Sequence, residues 1–231
     1  MCDAKNAIAF IGVAYREHNR MISTKQLLQL TKRLFDFIAA FLGLIVLLPF
    51  MAAIAVALKL DGQGGTPIYG GYRVGKNGKL FRCWKFRTMQ PGTDHLLDER
   101  LEQDPKAAEL WDKYHKLPDD PRIVSETARF LRQSSLDELP QLVNVLLGNM
   151  SLVGPRPILP EEKELFGDSL NHYLSVRPGI SGLWQIRGRN SATFKKRVRW
   201  DRHYVENWSF RQDMFILFKT FGVVLDRSNA Y

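Results

Sequence analysis

FIAAFLGLIVLLPFMAAIAVAL, residues 37–58, carries no charged side chain and is long enough to cross the hydrocarbon core of a bilayer. A soluble helix seldom stays apolar on every side for this length, because one of its faces meets water. The run therefore reads as a membrane segment. Pro49 lies near its middle, where a missing N–H and a bulky ring bend or break a helix, and Gly43 weakens the turn before it. Lys25, Lys32 and Arg33 precede the run, and Lys59, Arg73, Lys76 and Lys79 follow it. Basic flanks stay on the cytoplasmic side, so two of them predict a segment that enters and returns. The expectation is a re-entrant helix-break-helix hairpin over residues 32–60, broken at Pro49, whose freed carbonyls are satisfied locally.

Outward from that run the chain divides in two. Residues 1–31 are mixed and polar; their apolar stretch, Ala7 to Tyr15, lacks the basic start and small-residue cleavage site of a signal peptide, and no role follows for them. Residues 61–231 are long enough for a sizeable core and read as a cytosolic domain. The sequence has 231 residues and a net charge of +9, which points to polyanionic partners: nucleic acid, an anionic membrane surface or a phosphorylated substrate. Its two cysteines, Cys2 and Cys83, are far apart without metal-ligand spacing, which argues against a disulfide scaffold or zinc site and suits a reducing compartment.

The domain opens with two β-like runs, 67–74 and 80–86, around Gly75-Lys76-Asn77-Gly78, a hairpin signature. Strand alternation puts Lys85 and Arg87 on one face, as solvated charges or as ligands for an anion. Residues 90–120 form a charge-rich excursion with helical stretches near 96–101 and 107–115, punctuated by Pro105, Pro118 and Pro121. Arg129 and Arg132 then stand just before Ser134-Ser135-Leu136-Asp137-Glu138-Leu139-Pro140-Gln141. Leu139, Leu142, Val143 and Leu146 recur at helical spacing and Pro140 is tolerated only in a first turn, so Asp137 and Glu138 are predicted at a helix N-terminus. Exposed N–H groups there keep a carboxylate ionised and can seat phosphate. Taken alone, Ser135 and Glu138 make a capping box that explains both acids without any chemistry.

Beyond the Gly154-Pro155-Arg156-Pro157 corner lies a basic block, Arg187, Arg189, Lys195, Lys196, Arg197, Arg199 and Arg202, interleaved with Trp200, Tyr204 and Trp208. Its composition suits nucleic acid or a membrane interface equally. Residues 210–225 read as an amphipathic helix whose apolar face holds Met214, Phe215, Leu217, Phe218, Phe221 and Val224, fit to pack on a core or lie on a bilayer.

The ordered motifs KFRTM (85–89), DPRI (120–123), SSLDELPQLVNVLLGNMSLVGPRP (134–157), RPGISGLWQIRGRN (177–190) and YVENWS (204–209) behind an apolar hairpin resemble the bacterial sugar transferases, from about Lys32 to Tyr231. These are monotopic phosphoglycosyl transferases. The long 90–120 segment, GLWQ, YVENWS and the terminal Ala230-Tyr231 are most similar to the galactose phosphotransferase branch. Larger members carry further N-terminal membrane helices and a soluble module; the resemblance covers their catalytic unit. Where those members often have serine before the helix-breaking proline, Leu48 precedes Pro49 here.

The resemblance implies a helix-rich α+β fold with one β-hairpin and interfacial helices, on the cytoplasmic face of the bacterial inner membrane. It also implies transfer of hexose 1-phosphate, galactose first among candidates and glucose or an N-acetylhexosamine after it, from a UDP-sugar to undecaprenyl phosphate. Asp137 would be the nucleophile, UMP the leaving group, and Glu138 an assistant, with both acids as ligands for Mg²⁺. Lys85, Arg87, Arg132 and Arg156 match phosphate-contact positions, with Gln185 and Arg187 nearer the nucleotide. Membrane lipid is then the anionic surface, nucleic acid is not a partner, and a homodimer is left open. The rival reading is a basic membrane adaptor without enzymatic activity, indifferent to loss of Asp137.

Overall fold

The computed structural model describes the backbone of residues 3–62, 64–115, 117, 119–188 and 192–225, and side chains from residue 24 onward except 25, 221 and 223–225. Arg189 and the terminal Ala230-Tyr231 motif lie outside the described residues, as do the side chains of Phe221 and Val224.

A single helix, α1 (Asp3–Leu60), carries the apolar run, with Pro49 inside it. The stretch Gln26–Leu60 is long and apolar enough to cross a membrane. The helix continues through Pro49 without the interruption predicted there. The reason lies in what α1 packs on. Asp36, Ala40, Met51, Ile54 and Leu58 are buried, Leu44 and Leu47 join the same contacts, and their spacing of three or four residues keeps phase across the proline. Proline removes one backbone hydrogen bond, and a continuous packed stripe on both sides holds the helix together around that loss. The opposite side of α1 shows Leu34, Phe37, Phe41, Ile45, Leu48 and Val56 to the surroundings. So wide an apolar face on one helix is a membrane surface rather than a solvated one.

The polar domain follows. Strands β1 (Ile68–Val74) and β2 (Leu80–Phe86) pair antiparallel around the turn at 75–79, as the sequence predicts. The excursion folds into α2 (Asp94–Gln103) and α3 (Pro105–Tyr114), with Asp104 capping the second and a small core of Leu97, Ala107 and Leu117. Next come α4 (Glu126–Ser134) and α5 (Gln141–Leu146), then β3 (Ser151–Val153), which pairs in parallel with β4 (Gly179–Ser181). Between those strands lie a 3-10 stretch, Glu161–Ser169, and α6 (Leu170–Ser175); after them come α7 (Leu183–Arg187), α8 (Phe194–Glu206) and α9 (Phe210–Leu225).

This second, parallel pair explains the glycines in both motifs. A Cβ at Gly154 would sit 2.6 Å from the Arg177 carbonyl oxygen, and one at Gly179 would sit 2.1 Å from the Gly154 nitrogen. The two corners cross backbone against backbone, where no side chain fits.

Helix α9 does not present the single apolar face predicted for it. Asp213 and Ile216 point into the domain, Met214 and Leu217 are half-buried, and Phe215 and Phe218 are exposed.

A polar clamp fixes α1 to this domain. Lys32 Nζ donates to Asp213 Oδ2 at 2.6 Å and to the Val153 carbonyl at 3.1 Å. Asp213 also accepts from Tyr204 Oη at 2.7 Å and Trp208 Nε1 at 3.0 Å, while Asp36 accepts from Ser151 Oγ and the Leu152 amide. Breaking one partner of a buried pair leaves the other charge unpaired, at a cost of about 3–5 kcal/mol. Asp213→Ala should therefore lower unfolding stability by about that amount in detergent-purified protein, with an unchanged denaturation midpoint contradicting the clamp.

Candidate active site

The acid pair lies in a 3-10 turn, Leu136–Glu138, which leads through Leu139 and Pro140, both in helical conformation, into α5. Helix α4 starts on Ser125, whose side chain accepts from the Ala128 amide, and stops at Ser135, which turns left-handed with φ 58°. Ser135 closes α4 instead of opening α5, and its side chain makes no capping bond to the turn. The predicted capping box is thus not formed. Leu136 and Leu139, on either side of the acids, pack with Met51, Ile54, Leu58, Phe86 and Leu131 against α1. Asp137 is buried at 6% exposure.

Cations arrive from other elements. Lys85 Nζ on β2 lies 2.5 Å from Glu138 Oε1 and 3.7 Å from Asp137 Oδ2. Arg156, just past β3, places Nη1 3.1 Å from the same Glu138 oxygen. What sets Lys85 against the turn is Asn144 of α5, a buried side chain that imitates a strand. It accepts from the Trp84 amide at 2.9 Å and donates to the Arg82 carbonyl at 2.7 Å, pinning α5 to β2.

These groups line one cavity of about 590 Å³. Arg132 and Gln185 line it too, the first donating to Thr88 Oγ1 at 3.4 Å and the second to the Ile180 carbonyl at 3.3 Å. Arg87 is not among the lining residues. The strand pairing carries on through the Arg87 amide, which donates to the Pro67 carbonyl at 2.8 Å, and the guanidinium lies over the ring of Tyr69, the cross-strand partner of Lys85, so Arg87 keeps the predicted face while its Nε donates to the Thr66 carbonyl at 2.8 Å. Arg187 is exposed and also outside the lining.

Residue profiles of known families match residues 27–227 to the bacterial sugar transferases. The chain belongs to the bacterial sugar transferase family. It is 49% identical over 200 residues to the undecaprenyl-phosphate galactose phosphotransferase of Salmonella typhimurium, covering 87% of this chain and 41% of that protein. It is 45% identical over 202 residues to the exopolysaccharide production protein ExoY of Sinorhizobium fredii, covering 87% of this chain and 88% of that one. With the Escherichia coli UDP-glucose:undecaprenyl-phosphate glucose-1-phosphate transferase it shares 35% identity over 201 residues, 83% of this chain and 39% of the other. The chain therefore spans about two fifths of the Salmonella and Escherichia relatives.

Electrostatics divide the two acids of this sugar transferase. Burial works to raise Glu138, but Lys85 and Arg156 outweigh it and hold its carboxyl down at about 2. Burial pushes Asp137 above its ordinary 3.8, although Lys85 opposes the rise. The prediction that a helix terminus keeps Asp137 ionised is corrected: burial raises its pKa, and nearby cations, Lys85 first, are what favour the charged form.

Further wall residues escaped the sequence reading. Arg197 is 9% exposed, with its guanidinium 5.5 Å from the Trp184 ring and 5.1 Å from the Phe194 ring, and its Nε 3.8 Å from Asp201. Tyr114 and His115 bring the end of the excursion to the same wall, the His115 ring tilted at 55° against Phe194 with centroids 5.2 Å apart. Gln141, four residues after Asp137, keeps a buried Oε1 without a hydrogen-bond partner on the cavity wall. Among the described residues no three His, Cys, Asp or Glu side chains converge on a metal position. The donor set of Asp137, Glu138 and the Gln141 oxygen nonetheless suits Mg²⁺, which takes one or two carboxylates and completes its shell with water and substrate phosphate.

A raised Asp137 makes the deprotonated, attacking form accumulate as pH rises through that pKa. If the ionised group reacts, the acid limb of the kcat/KM profile should lie above pH 3.8. Lys85→Met, which removes the main cation favouring the charged form, should move that limb further up and lower the plateau by roughly 10²-fold. An acid limb that stays in place in Lys85→Met would contradict this assignment.

Proposed function

We propose that the chain transfers hexose 1-phosphate from a UDP-hexose to undecaprenyl phosphate through a covalent phosphoryl-aspartate at Asp137, starting assembly of a surface glycan such as an exopolysaccharide or O-antigen. The observation that carries this reading is a buried carboxylate pair set against Lys85 and Arg156 in a cavity that Arg132 and Arg197 also line. Anionic side chains rarely sit at the heart of a phosphate site unless one of them reacts or holds metal. Galactose is the favoured sugar, on the activity for which the Salmonella relative is named. Glucose is the second, on that of the Escherichia coli relative.

The chemistry follows from the groups present. A carboxylate oxygen of Asp137 attacks the β-phosphorus, the bond from that phosphorus to the bridging oxygen breaks, and UMP leaves with the electron pair. A phosphate oxygen of the lipid then attacks the same phosphorus, the aspartyl bond breaks, and the carboxylate returns. Splitting the transfer this way lets one cluster of cations serve both halves, because the charge on the transferred phosphoryl group is offset in each. Lys85 and Arg156 would turn from Glu138 toward phosphate oxygens as these arrive, with Glu138 holding them poised in the absence of donor. Bound at Asp137, Glu138 and Gln141, Mg²⁺ would offset further phosphate charge.

The apolar face of α1 is the seat in the membrane, entered from the cytoplasmic side. Its other face packs on the domain from Asp36 to Leu58, which ties the cavity to the anchor and supports a lipid acceptor.

Detergent-purified protein given undecaprenyl phosphate, Mg²⁺ and a panel of UDP-sugars should release UMP with one hexose. Asp137→Asn should lower that rate by on the order of 10⁴-fold. UDP as the released nucleotide would indicate direct glycosyl transfer instead, and no release by folded protein would favour the adaptor.

A further inference from the structure

The lining of the cavity that holds the acids is of two kinds. One part is polar and aromatic, with Arg156 and Arg197 both set against the Trp184 ring and Arg197 also against Phe194. The apolar end is formed by Leu142 of α5, Leu152 of β3, Ile180 of β4 and Leu217 of α9, held together because Leu142, Leu152 and Ile180 share one apolar cluster and Leu152 and Leu217 another, with the Ser181 and Thr220 hydroxyls and the Gln185 amide, which donates to the Ile180 carbonyl, for polarity. Those two hydroxyls bond each other at 2.5 Å, and Thr220 also donates to the Ile216 carbonyl, so the pair is satisfied within the wall. An apolar pocket end opening from a cationic site is out of place for a nucleotide sugar, whose every part is polar.

It is also next to the membrane helix. A Cβ placed on Gly43 would lie 3.6 Å from Leu142 Cδ1, so the wall of the cavity and the apolar helix touch there. Helix α9, which supplies Leu217, is tied to α1 by Lys32–Asp213 and by the edge-on packing of Phe35 on Phe210 at 5.5 Å. Its exposed residues on either side of Leu217 are Phe215 and Phe218, 53% and 76% exposed. A large aromatic left out on a helix beside an apolar anchor marks the mouth of a lipid-facing path more readily than a solvated surface.

We propose that this end is the seat of the acceptor's first isoprene units: the chain of a polyprenyl phosphate enters between α9 and α5, past Phe218, and lies on Leu217, Ile180, Leu152 and Leu142, which delivers its phosphate to Asp137. The inference rests on the reading that the acceptor is a polyprenyl phosphate. One occupant matches both ends, since this amphiphile has a phosphate at the tip of a hydrocarbon chain and the cavity has cations at the tip of an apolar groove.

The half-reactions separate the two claims. Exchange of labelled UMP into UDP-sugar needs only the donor end, whereas transfer to lipid needs both. Leu217→Asn should leave the exchange rate within about twofold of the wild type and raise KM for undecaprenyl phosphate roughly tenfold or more. As a readout independent of folding, wild-type protein irradiated with a polyprenyl phosphate bearing a benzophenone near the phosphate should be labelled on peptides containing Ile180 or Leu217. Equal loss of exchange and transfer in the variant, or labelling confined to α1, would overturn the path. A wild-type enzyme that exchanges no UMP with any donor would instead remove the covalent reading beneath it.

Discussion

Docking of one face of α1 onto the polar domain is the constraint on which the rest depends. A helix that is apolar on every side would ordinarily be indifferent to its rotation, yet here the buried Asp36 and the half-buried Lys32 fix it to β3 and α9. Buried charges of this kind are tolerated only when fully paired, so they specify one orientation rather than adding much net stability. The same stripe, further along, receives Leu136 and Leu139. The membrane anchor therefore sets the position of the acid pair directly, through the two leucines that flank it.

From that contact the site assembles by short links. Val153 accepts from both Lys32 and Tyr204, and two residues later the chain enters the Pro155-Arg156 corner that meets Glu138. Asn144 couples α5 to β2 and so brings Lys85 to the turn. With Lys85 and Arg156 both on Glu138, that acid carries the charge while Asp137 is raised by burial. The two neighbours differ because Lys85 and Arg156 hydrogen-bond Glu138 directly, whereas at Asp137 burial outweighs the same cations.

Much of this was legible in the sequence, for reasons that differ by element. The membrane run is a composition signal, and the 75–79 hairpin turn marks a backbone requirement that only a few residues meet. The acid pair stood out through its motif, whereas its local geometry did not. Pro140 suggested a helix start, but Ser135 in a left-handed conformation ends the preceding helix and makes a 3-10 turn instead. Pro49 misled in the opposite direction: its intrinsic tendency to break a helix is overridden by packing that a linear pattern does not display. Asn144 and Arg197 were invisible because their roles depend on partners far away in sequence, β2 for one and Trp184 for the other. Arg87 carried the same strand pattern as Lys85 and keeps its face, but its guanidinium is held by Thr66 and Tyr69 and does not line the cavity.

The central claim, that Asp137 is the atom-bearing nucleophile, is tested most directly by trapping. Protein incubated with its UDP-sugar and Mg²⁺ without lipid acceptor, quenched in acid and digested, should yield a peptide spanning Asp137 whose mass is increased by one hexose phosphate, and hydroxylamine should remove the addition. An unmodified peptide under conditions where UMP is nonetheless released, or the added mass on Glu138 instead, would contradict it.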